Sequence, residues 1–397
     1  MNSDFTRIPY FKYAVVQIIS TVFNNIHTLL LPFWYYELTG SKLASGTVFV
    51  VESIFALMAL PFVGVIVDRF SHRMLILITE VSRAIAVLSL LLVDQASPIF
   101  VVLTVAAVSS VGSTMFFALQ QGVIKVNVPR EHMPKAQSLL SAVQGIALIG
   151  GPLFGAWLAS LLGYKPVFAL NAASFVFSAA SVVFIADAAP RQTSFKFLSD
   201  IREALNAARA TRELWLLYVL QLFVYFSVGS LGLLFIFFFK DRGFSLQSIA
   251  LMMGAMGVGI LTGSTFSGRT SPKGLAGGAL VAAGSGGLLI LLGSIPSISP
   301  PMAVPVMMAF GITSVSLGIF ARTSIQKHST VEMIGRMTAL LRLCMLVGAS
   351  LSVWAVVASG HFLSPTVQLE ILGTTLLSVA MIIFMLITLA NSPVKSH

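Results

Sequence analysis

The sequence predicts an all-α integral membrane protein, with twelve transmembrane helices in two six-helix bundles and both termini in the cytoplasm. Three observations support this fold class: an apolar composition, twelve long apolar segments and a one-sided distribution of basic residues. Of the 397 residues, 57% are hydrophobic and 10% are charged, whereas about 25% of the residues of a soluble domain are charged. The composition therefore excludes a soluble protein, and it leaves no folded soluble surface for nucleic-acid binding.

Each predicted span is close to the length of about 20 apolar residues that a helix needs to cross a bilayer. The spans lie near residues 13–36, 43–67, 74–93, 98–120, 138–162, 166–186, 214–239, 248–267, 275–294, 302–324, 339–358 and 369–391. The predicted domains are therefore an N-terminal bundle (1–186), a cytoplasmic linker (187–213) and a C-terminal bundle (214–397). In the linker, Ile201 and Leu205 recur at helical spacing among charged residues, which predicts an amphipathic helix.

The basic residues predict the orientation in the membrane. An even number of spans places both termini on one side, and most of the 24 lysines and arginines fall in loops on that side. The loops on the opposite side hold only Lys42, Lys165, Lys240 and Arg242. Since cytoplasmic loops carry the excess of basic residues, we expect a multi-pass protein of the cytoplasmic (inner) cell membrane with cytoplasmic N- and C-termini.

The two halves also show a weak internal repeat. Glu131 and Lys135 fall 201 residues before Glu332 and Arg336, in equivalent loops. A duplicated six-span unit is the layout of transporters whose substrate site lies between two parallel repeats near the membrane midplane. Chance similarity between two short basic loops is the alternative interpretation.

The loop after the second span carries a recognisable signature. Residues 64–73 read Gly-Val-Ile-Val-Asp-Arg-Phe-Ser-His-Arg, which resembles the Gly-x-x-x-Asp-Arg-x-Gly-Arg-Lys signature that the major facilitator superfamily has in the same loop. Gly64 would permit close helix packing, Asp68 would cap a helix or pair with a cation, and Arg69 and Arg73 would hold the turn in the cytoplasm. The resemblance implies a conformational latch; plain positive-inside anchoring is the alternative.

Four further segments resemble the macrolide-efflux and enterobactin-exporter branch of drug:proton antiporters in that superfamily. They are Glu-Val-Ser-Arg-Ala at 80–84, Pro-Arg-Glu-His-Met-Pro-Lys-Ala-Gln at 129–137, Gly-Pro-Leu-Phe-Gly at 151–155 and Phe-Ala-Leu-Asn-Ala-Ala-Ser-Phe at 168–175. This resemblance covers nearly all of the N-terminal half and is generic beyond residue 214. It implies the major facilitator fold and transport in the direction of export.

The Gly-Pro element in the fifth span has a mechanical interpretation of its own. Pro152 removes a backbone donor and kinks the helix, and Gly151 and Gly155 offer a smooth ridge for a neighbouring helix. The element is either a hinge or a simple packing face of small residues.

Charged residues inside a membrane are costly and are therefore functional candidates. Glu52 lies near mid-membrane without a basic partner nearby in sequence, which suits a proton carrier; a neutral structural Glu is the alternative. Glu80 and Arg83 share one helix face and are expected to form an ion pair; bracing of the loop signature is the alternative role. Arg342 could bind an anionic substrate group or snorkel to the interface. His27 could titrate at physiological pH.

Two spans carry polar faces that predict a substrate cavity. The first span has Gln17, Thr21, Asn24 and Thr28 on one stripe, and the seventh has Tyr218, Gln221 and Tyr225. A polar stripe facing lipid would be unfavourable, so we expect spans one and seven to face each other across one cavity, lined by Asn24, Thr28, Gln221 and Tyr225. Plain helix packing is the alternative for the tyrosines.

Enzymatic function is not expected. The six histidines include no pair at metal-ligand spacing, and there is no phosphate-binding glycine loop, so we expect no metal and no cofactor. A channel is disfavoured because no filter sequence is present.

We expect instead a monomeric secondary transporter that exports a small amphipathic molecule, drug-like or siderophore-like, by alternating access in exchange for protons. Its partners would be the small-molecule substrate, protons and membrane lipid, with no nucleic acid. The alternatives are a lipid or lysophospholipid flippase of the same fold, or a non-transporting membrane sensor or scaffold.

Overall fold

The computed structural model describes residues 9–94, 99–187, 197–265, 274–295, 298–329 and 331–391. These residues are almost entirely helical, and twelve helical segments are long and apolar enough to cross a membrane. The chain divides into two compact units, Met1–Phe195 and Lys196–His397. The prediction of an all-α protein with twelve spans is confirmed, while the orientation of the termini stays a prediction.

The N-terminal unit contains six long helices. They are α1 (Pro9–Thr39), α2 (Lys42–Arg69), α3 (His72–Ser89), α4 (Ile99–Asn127), α5 (Met133–Leu162) and α6 (Tyr164–Ala180), and short 3-10 turns at Leu90–Leu92, Arg130–His132 and Ser181–Phe184 adjoin them. Helix α1 packs against α5 and α6, while α2 packs against α4 and α3 packs against α4 and α6.

Tight turns connect several of these helices. Gly40 ends α1 with a φ of 65°, a conformation that suits glycine, and Ser41 then caps α2 by accepting a hydrogen bond from the Ala44 amide at 3.2 Å. Ser71 caps α3 in the same way, accepting from the Met74 amide at 3.2 Å. These caps satisfy backbone donors that a helix start leaves unpaired, and they fix where α2 and α3 begin.

The C-terminal unit begins with the linker helix. Its helices are α7 (Phe197–Ala210), α8 (Arg212–Val228), α9 (Leu231–Lys240), α10 (Leu246–Thr265), α11 (Gly274–Ser294), α12 (Pro300–His328), α13 (Val331–Ser359) and α14 (Pro365–Asn391). Helix α8 packs against α13, α10 against α12 and α11 against α14. Helices α8 and α9 together form the seventh span, which breaks at Gly229 and Ser230, a break that the sequence pattern did not predict.

The linker helix α7 is amphipathic, as the spacing predicted, and it is docked on the C-terminal unit. Ala204 and Ala208 are fully buried in an apolar cluster of that unit, with Ile201 and Leu205 packed against it. On its polar side, Arg336 Nε lies 3.0 Å from Asp200 Oδ1 and Arg336 Nη1 lies 3.0 Å from Glu203 Oε1. The predicted separate linker segment therefore contains a helix that folds with the second bundle.

Candidate functional site in the N-terminal bundle

The N-terminal unit buries an ion pair inside the membrane-spanning region. Arg83 Nη1 lies 3.1 Å from Glu80 Oε1, one helical turn away on α3, and both side chains are almost completely shielded from solvent. The hydroxyl groups of Ser20 and Ser178 lie beside the Glu80 carboxylate. The predicted pairing of Glu80 with Arg83 is confirmed. Because the pair is buried, removing one partner would leave an uncompensated charge.

The rest of the Arg83 guanidinium is held by three other helices. Its Nη2 donates a hydrogen bond to Asn24 Oδ1 on α1 and lies 3.4 Å from Ser113 Oγ on α4. The guanidinium also sits over the Phe175 ring of α6, 4.0 Å from the centroid, an arrangement that attracts a cation to the ring face. Arg83 is therefore the point at which α1, α3, α4 and α6 meet.

Gly112 on α4 makes room for this arginine. A Cβ atom at position 112 would overlap the aliphatic part of the Arg83 side chain. The sequence alone did not predict this role, because Gly112 is one of several small residues within an apolar helix. The same holds for Ser113 and Phe175, since no spacing along the chain shows which residues of separate helices meet.

A second buried polar network lies near the ion pair and joins α1 to the end of α6. Gln17 Nε2 donates to Ser181 Oγ at 3.0 Å, and Gln17 Oε1 accepts from Ser178 Oγ at 3.0 Å. Gln17 is only 4% exposed, so in this structure it fastens two helices together and does not line an open surface. Its place in the substrate cavity stays a prediction; in this structure it lines a small pocket together with Thr21 and Gln120.

A small cavity adjoins the ion pair. It has a volume of about 100 Å³ and is lined by Ser20, Thr21, Asn24, Arg83, Ser113, Phe116, Phe117, Gln120 and Gln144. The predicted cavity residues Thr21 and Asn24 are among them. Thr28 lies further along α1, is exposed, and donates to the Asn24 carbonyl at 3.0 Å. Along the polar stripe of the first span, one part is therefore buried in a helix contact, one part lines the cavity, and the end is exposed.

Glu52 lies on α2, which packs against α4. Ser110 Oγ of α4 donates to the Glu52 backbone carbonyl at 2.5 Å, which ties the two helices together at this level. Among the residues that the structure describes, the Glu52 carboxylate has no hydrogen bond or ion pair. This environment agrees with the sequence expectation of a mid-span carboxylate without a cation.

His27 is buried in an aromatic environment. Its ring meets Phe168 edge-on at a centroid distance of 5.7 Å, and neither ring nitrogen has a hydrogen-bond partner among the described residues. Protonating this imidazole would place an unpaired charge in an apolar site. Of the three carboxyl and imidazole candidates for proton coupling, His27 is therefore the least suited.

The loop signature is attached to the end of the sixth span. Arg73 Nε donates to the Ile185 carbonyl at 2.7 Å, and Arg73 Nη2 contacts the same oxygen. Ser71 Oγ donates to Asp187 Oδ2, and Asn127 Nδ2 donates to the Ala186 carbonyl at 3.1 Å. Arg73 and Ser71 therefore do more than hold the turn on one side of the membrane, because they fix the start of the linker to the N-terminal bundle.

The other residues of the predicted latch are Gly64, Arg69 and Asp68. A Cβ atom at Gly64 would have no atom within 4 Å, so the expectation that Gly64 permits close helix packing is wrong for this conformation. Arg69 is exposed at the end of α2. The side chain of Asp68 lies outside the described residues.

The Gly-Pro element of α5 packs against α1. A Cβ atom at Gly151 would lie 2.8 Å from Asn25 Cβ, and one at Gly155 would lie 2.8 Å from Ile26 Cγ2. The predicted glycine ridge is confirmed as a close helix contact, with Pro152 buried between the two glycines. Whether the ridge also acts as a hinge stays a prediction.

The predicted cavity residues of the seventh span lie inside the C-terminal bundle. Tyr218 donates its hydroxyl to the Met337 carbonyl at 2.9 Å, and Gln221 Nε2 lies 3.4 Å from the Leu317 carbonyl. Both side chains are buried in this structure, and their place in a substrate cavity stays a prediction. Tyr225 and Arg342 are half-buried.

The twelve-span fold and the charged, cavity-forming cluster within the spans define a membrane transport protein. The sequence of residues 13–353 matches the Major Facilitator Superfamily. The chain belongs to this superfamily, and its neighbours there are transporters and not enzymes.

Relatives with curated names are similar at low identity. Macrolide efflux protein A of Streptococcus pyogenes is 23% identical over 238 residues, which cover 57% of this chain and 58% of that protein. Multidrug resistance protein MdtG of Dickeya zeae is 28% identical over 240 residues, covering 58% and 57%. An uncharacterised transporter of the same type, YfiS of Bacillus subtilis, is 26% identical over 198 residues, covering 50% and 46%. The similarity thus spans about half the length of these relatives.

Solved structures share the fold over almost the whole chain. A POT family transporter in complex with a thioalcohol-conjugated peptide has a TM-score of 0.75 at 13% identity, covering 96% of each chain. The nucleoside transporter NupG has a TM-score of 0.73 at 13% identity, covering 98% of this chain and 99% of NupG. At this identity the likeness shows the fold alone.

Proposed function

We propose that this chain is a secondary active transporter that exports a small amphipathic organic molecule, drug-like or siderophore-like, by alternating access in exchange for protons. The observation that carries the proposal is the buried Glu80–Arg83 pair at the wall of a polar cavity. A charged pair inside membrane-spanning helices is costly, and such groups mark ion or substrate pathways. The names of the efflux relatives support the direction of transport.

Glu52 is the carboxyl group that we assign to proton coupling. It stands on a membrane-spanning helix without an ion pair among the described residues, so no cation among them fixes its charge. Protonation from one side would allow the transporter to change conformation, and release on the other side would reset it. Glu80 is the second candidate, because its carboxylate is already held by Arg83, and His27 is the third.

The proposal also covers the oligomeric state of the protein and its location and orientation in the membrane. It acts as a monomer in the cytoplasmic membrane, with both termini in the cytoplasm and without a cofactor. The basic loops on the terminus side support this orientation. A reporter that is fluorescent only in the cytoplasm, fused to the C-terminus, should be bright; a dark fusion at normal abundance would contradict the orientation.

Transport is best tested with the purified full-length chain in liposomes. We expect an imposed pH gradient to drive the flux of a labelled macrolide or of a catechol-type siderophore well above that of protein-free liposomes. A protonophore should remove this stimulation. If every compound crosses at the protein-free rate, the transporter proposal is wrong. Flux that ignores the gradient would reject proton exchange, and flux of a labelled lysophospholipid alone would favour the flippase.

A further inference from the structure

The cavity beside Arg83 is rich in hydrogen-bond donors. Its wall combines one guanidinium, the amides of Asn24, Gln120 and Gln144, and several hydroxyl groups. None of the described lining residues is acidic. Amides and hydroxyls can both donate and accept hydrogen bonds, so the preference is set by charge: a guanidinium with no carboxylate in the lining favours a ligand with a negatively charged oxygen.

Of the two residues in the ion pair, the positively charged Arg83 lines the cavity. Glu80 holds Nη1 of Arg83 and does not line the cavity, whereas Nη2 points to Asn24 and Ser113, which both do. Glu80 is also fully buried. A ligand in the cavity therefore meets the guanidinium and is separated from the carboxylate that balances it.

Apolar surface completes the wall. The aromatic rings of Phe116 and Phe117 adjoin the polar groups, which suits a ligand with an aromatic part next to its charged group. The volume of about 100 Å³ is smaller than the roughly 300–1,000 Å³ of sites that hold a whole drug-sized molecule. The cavity therefore has the size to receive one functional group of a larger substrate.

We propose that this cavity binds the carboxylate or other anionic oxygen group of an aromatic amphipathic substrate, and that Arg83 is the charge that selects it. The inference rests on the proposed function and names the preferred substrate class: acidic aromatic compounds bind more tightly than cationic amphipathic compounds.

Equilibrium binding to the purified chain, measured without any gradient, tests this proposal. Three probes share one ring system and differ in charge: naphthoate, naphthamide and naphthylmethylammonium. We expect naphthoate to bind at least about tenfold more tightly than the other two, since only naphthoate brings a charge-assisted acceptor. Equal or tighter binding of the ammonium probe, or no naphthoate binding up to its solubility limit, would overturn the proposal.

Two variants connect the preference to Arg83. Asn24→Asp places a carboxylate against Nη2 and should weaken naphthoate binding at least about tenfold by occupying the guanidinium. Arg242→Gln is the matched control, because that guanidinium also lies over a ring, 3.7 Å from the centroid of Phe238, and Arg242 is not among the residues that line the cavity. It should leave naphthoate affinity unchanged. Unchanged affinity in Asn24→Asp, or equal losses in both variants, would reject the role of Arg83.

The outcomes separate this proposal from the proposed function. A chain that binds naphthoate through Arg83 but shows no flux in liposomes would contradict transport and leave the anion site standing. A chain that transports compounds along a pH gradient but shows no preference for naphthoate would contradict the anion site alone.

Discussion

The N-terminal bundle buries an ion pair between its helices, whereas glycines of the C-terminal bundle bring the backbones of neighbouring helices into direct contact. Arg83 and Gln17 each join separate helices of the first bundle through side-chain hydrogen bonds. In the second bundle, Cβ atoms at Gly259 and Gly311 would overlap backbone atoms of the facing helix. The ion pairs of the second bundle, such as Arg336–Asp200, have side chains that are more than a third exposed.

This difference indicates where the chemistry of the transporter lies. Small residues let helix backbones approach closely, which is an efficient way to pack helices in lipid. A buried charged network gives no packing advantage over apolar side chains, so its presence in one bundle calls for another reason. We infer that the first bundle carries the ion and ligand chemistry and that the second supplies closely packed helices.

The largest expected effect is on the packing of the second bundle. Gly259→Leu should prevent recovery of folded protein, because its side chain would have to enter the space of the Met308 backbone on α12. Gly284→Ala is the matched control, since a Cβ atom there has nothing within 4 Å. Size-exclusion profiles of fluorescent fusions check both variants. A normal profile for Gly259→Leu would show that the close approach of α10 and α12 is dispensable.

The next effect concerns the ion pair of the first bundle. Arg83→Met should lower the free energy of unfolding by about 3–5 kcal/mol, because it leaves the buried Glu80 charge without its partner. Adding Glu80→Gln should recover most of that loss. Thermal unfolding of the two single variants and the double variant completes a double-mutant cycle. Additive losses would contradict the pairing.

The sequence predicted the parts of this site that lie on one helix. The three-residue spacing of Glu80 and Arg83 on α3 was enough to expect their pairing, because residues at that spacing share a helix face. The meeting of Arg83 with Asn24, Ser113 and Phe175 was not predictable, since it depends on the rotation and register of four helices that no local pattern fixes.

The fold was predictable for a related reason. Bilayer thickness sets a minimum apolar length, so twelve long segments can be read directly from the chain. A polar stripe, in contrast, does not say whether it faces a cavity or another helix. The hydrogen bonds of Gln17, Tyr218 and Gln221 were therefore not predictable, because their partners are on distant segments.

A smaller effect is expected at the loop signature. Asp68→Asn should slow transport severalfold while changing the free energy of unfolding by no more than about 0.5 kcal/mol. The reason is that Asp68, in the last turn of α2, is expected to act on the balance between conformations. Initial uptake rates at equal membrane abundance measure it. Undiminished uptake would show that the loop signature of the first bundle only sets the orientation of the protein in the membrane.

The most direct test of the division between the bundles compares one intramembrane glutamate from each. Glu52 lies on α2 of the first bundle, and Glu370 lies half-buried on α14 of the second. Uptake driven by an imposed pH gradient should be abolished by Glu52→Gln and retained by Glu370→Gln, while energy-independent exchange survives in both variants. A Glu52→Gln variant that still responds fully to the gradient would contradict the account.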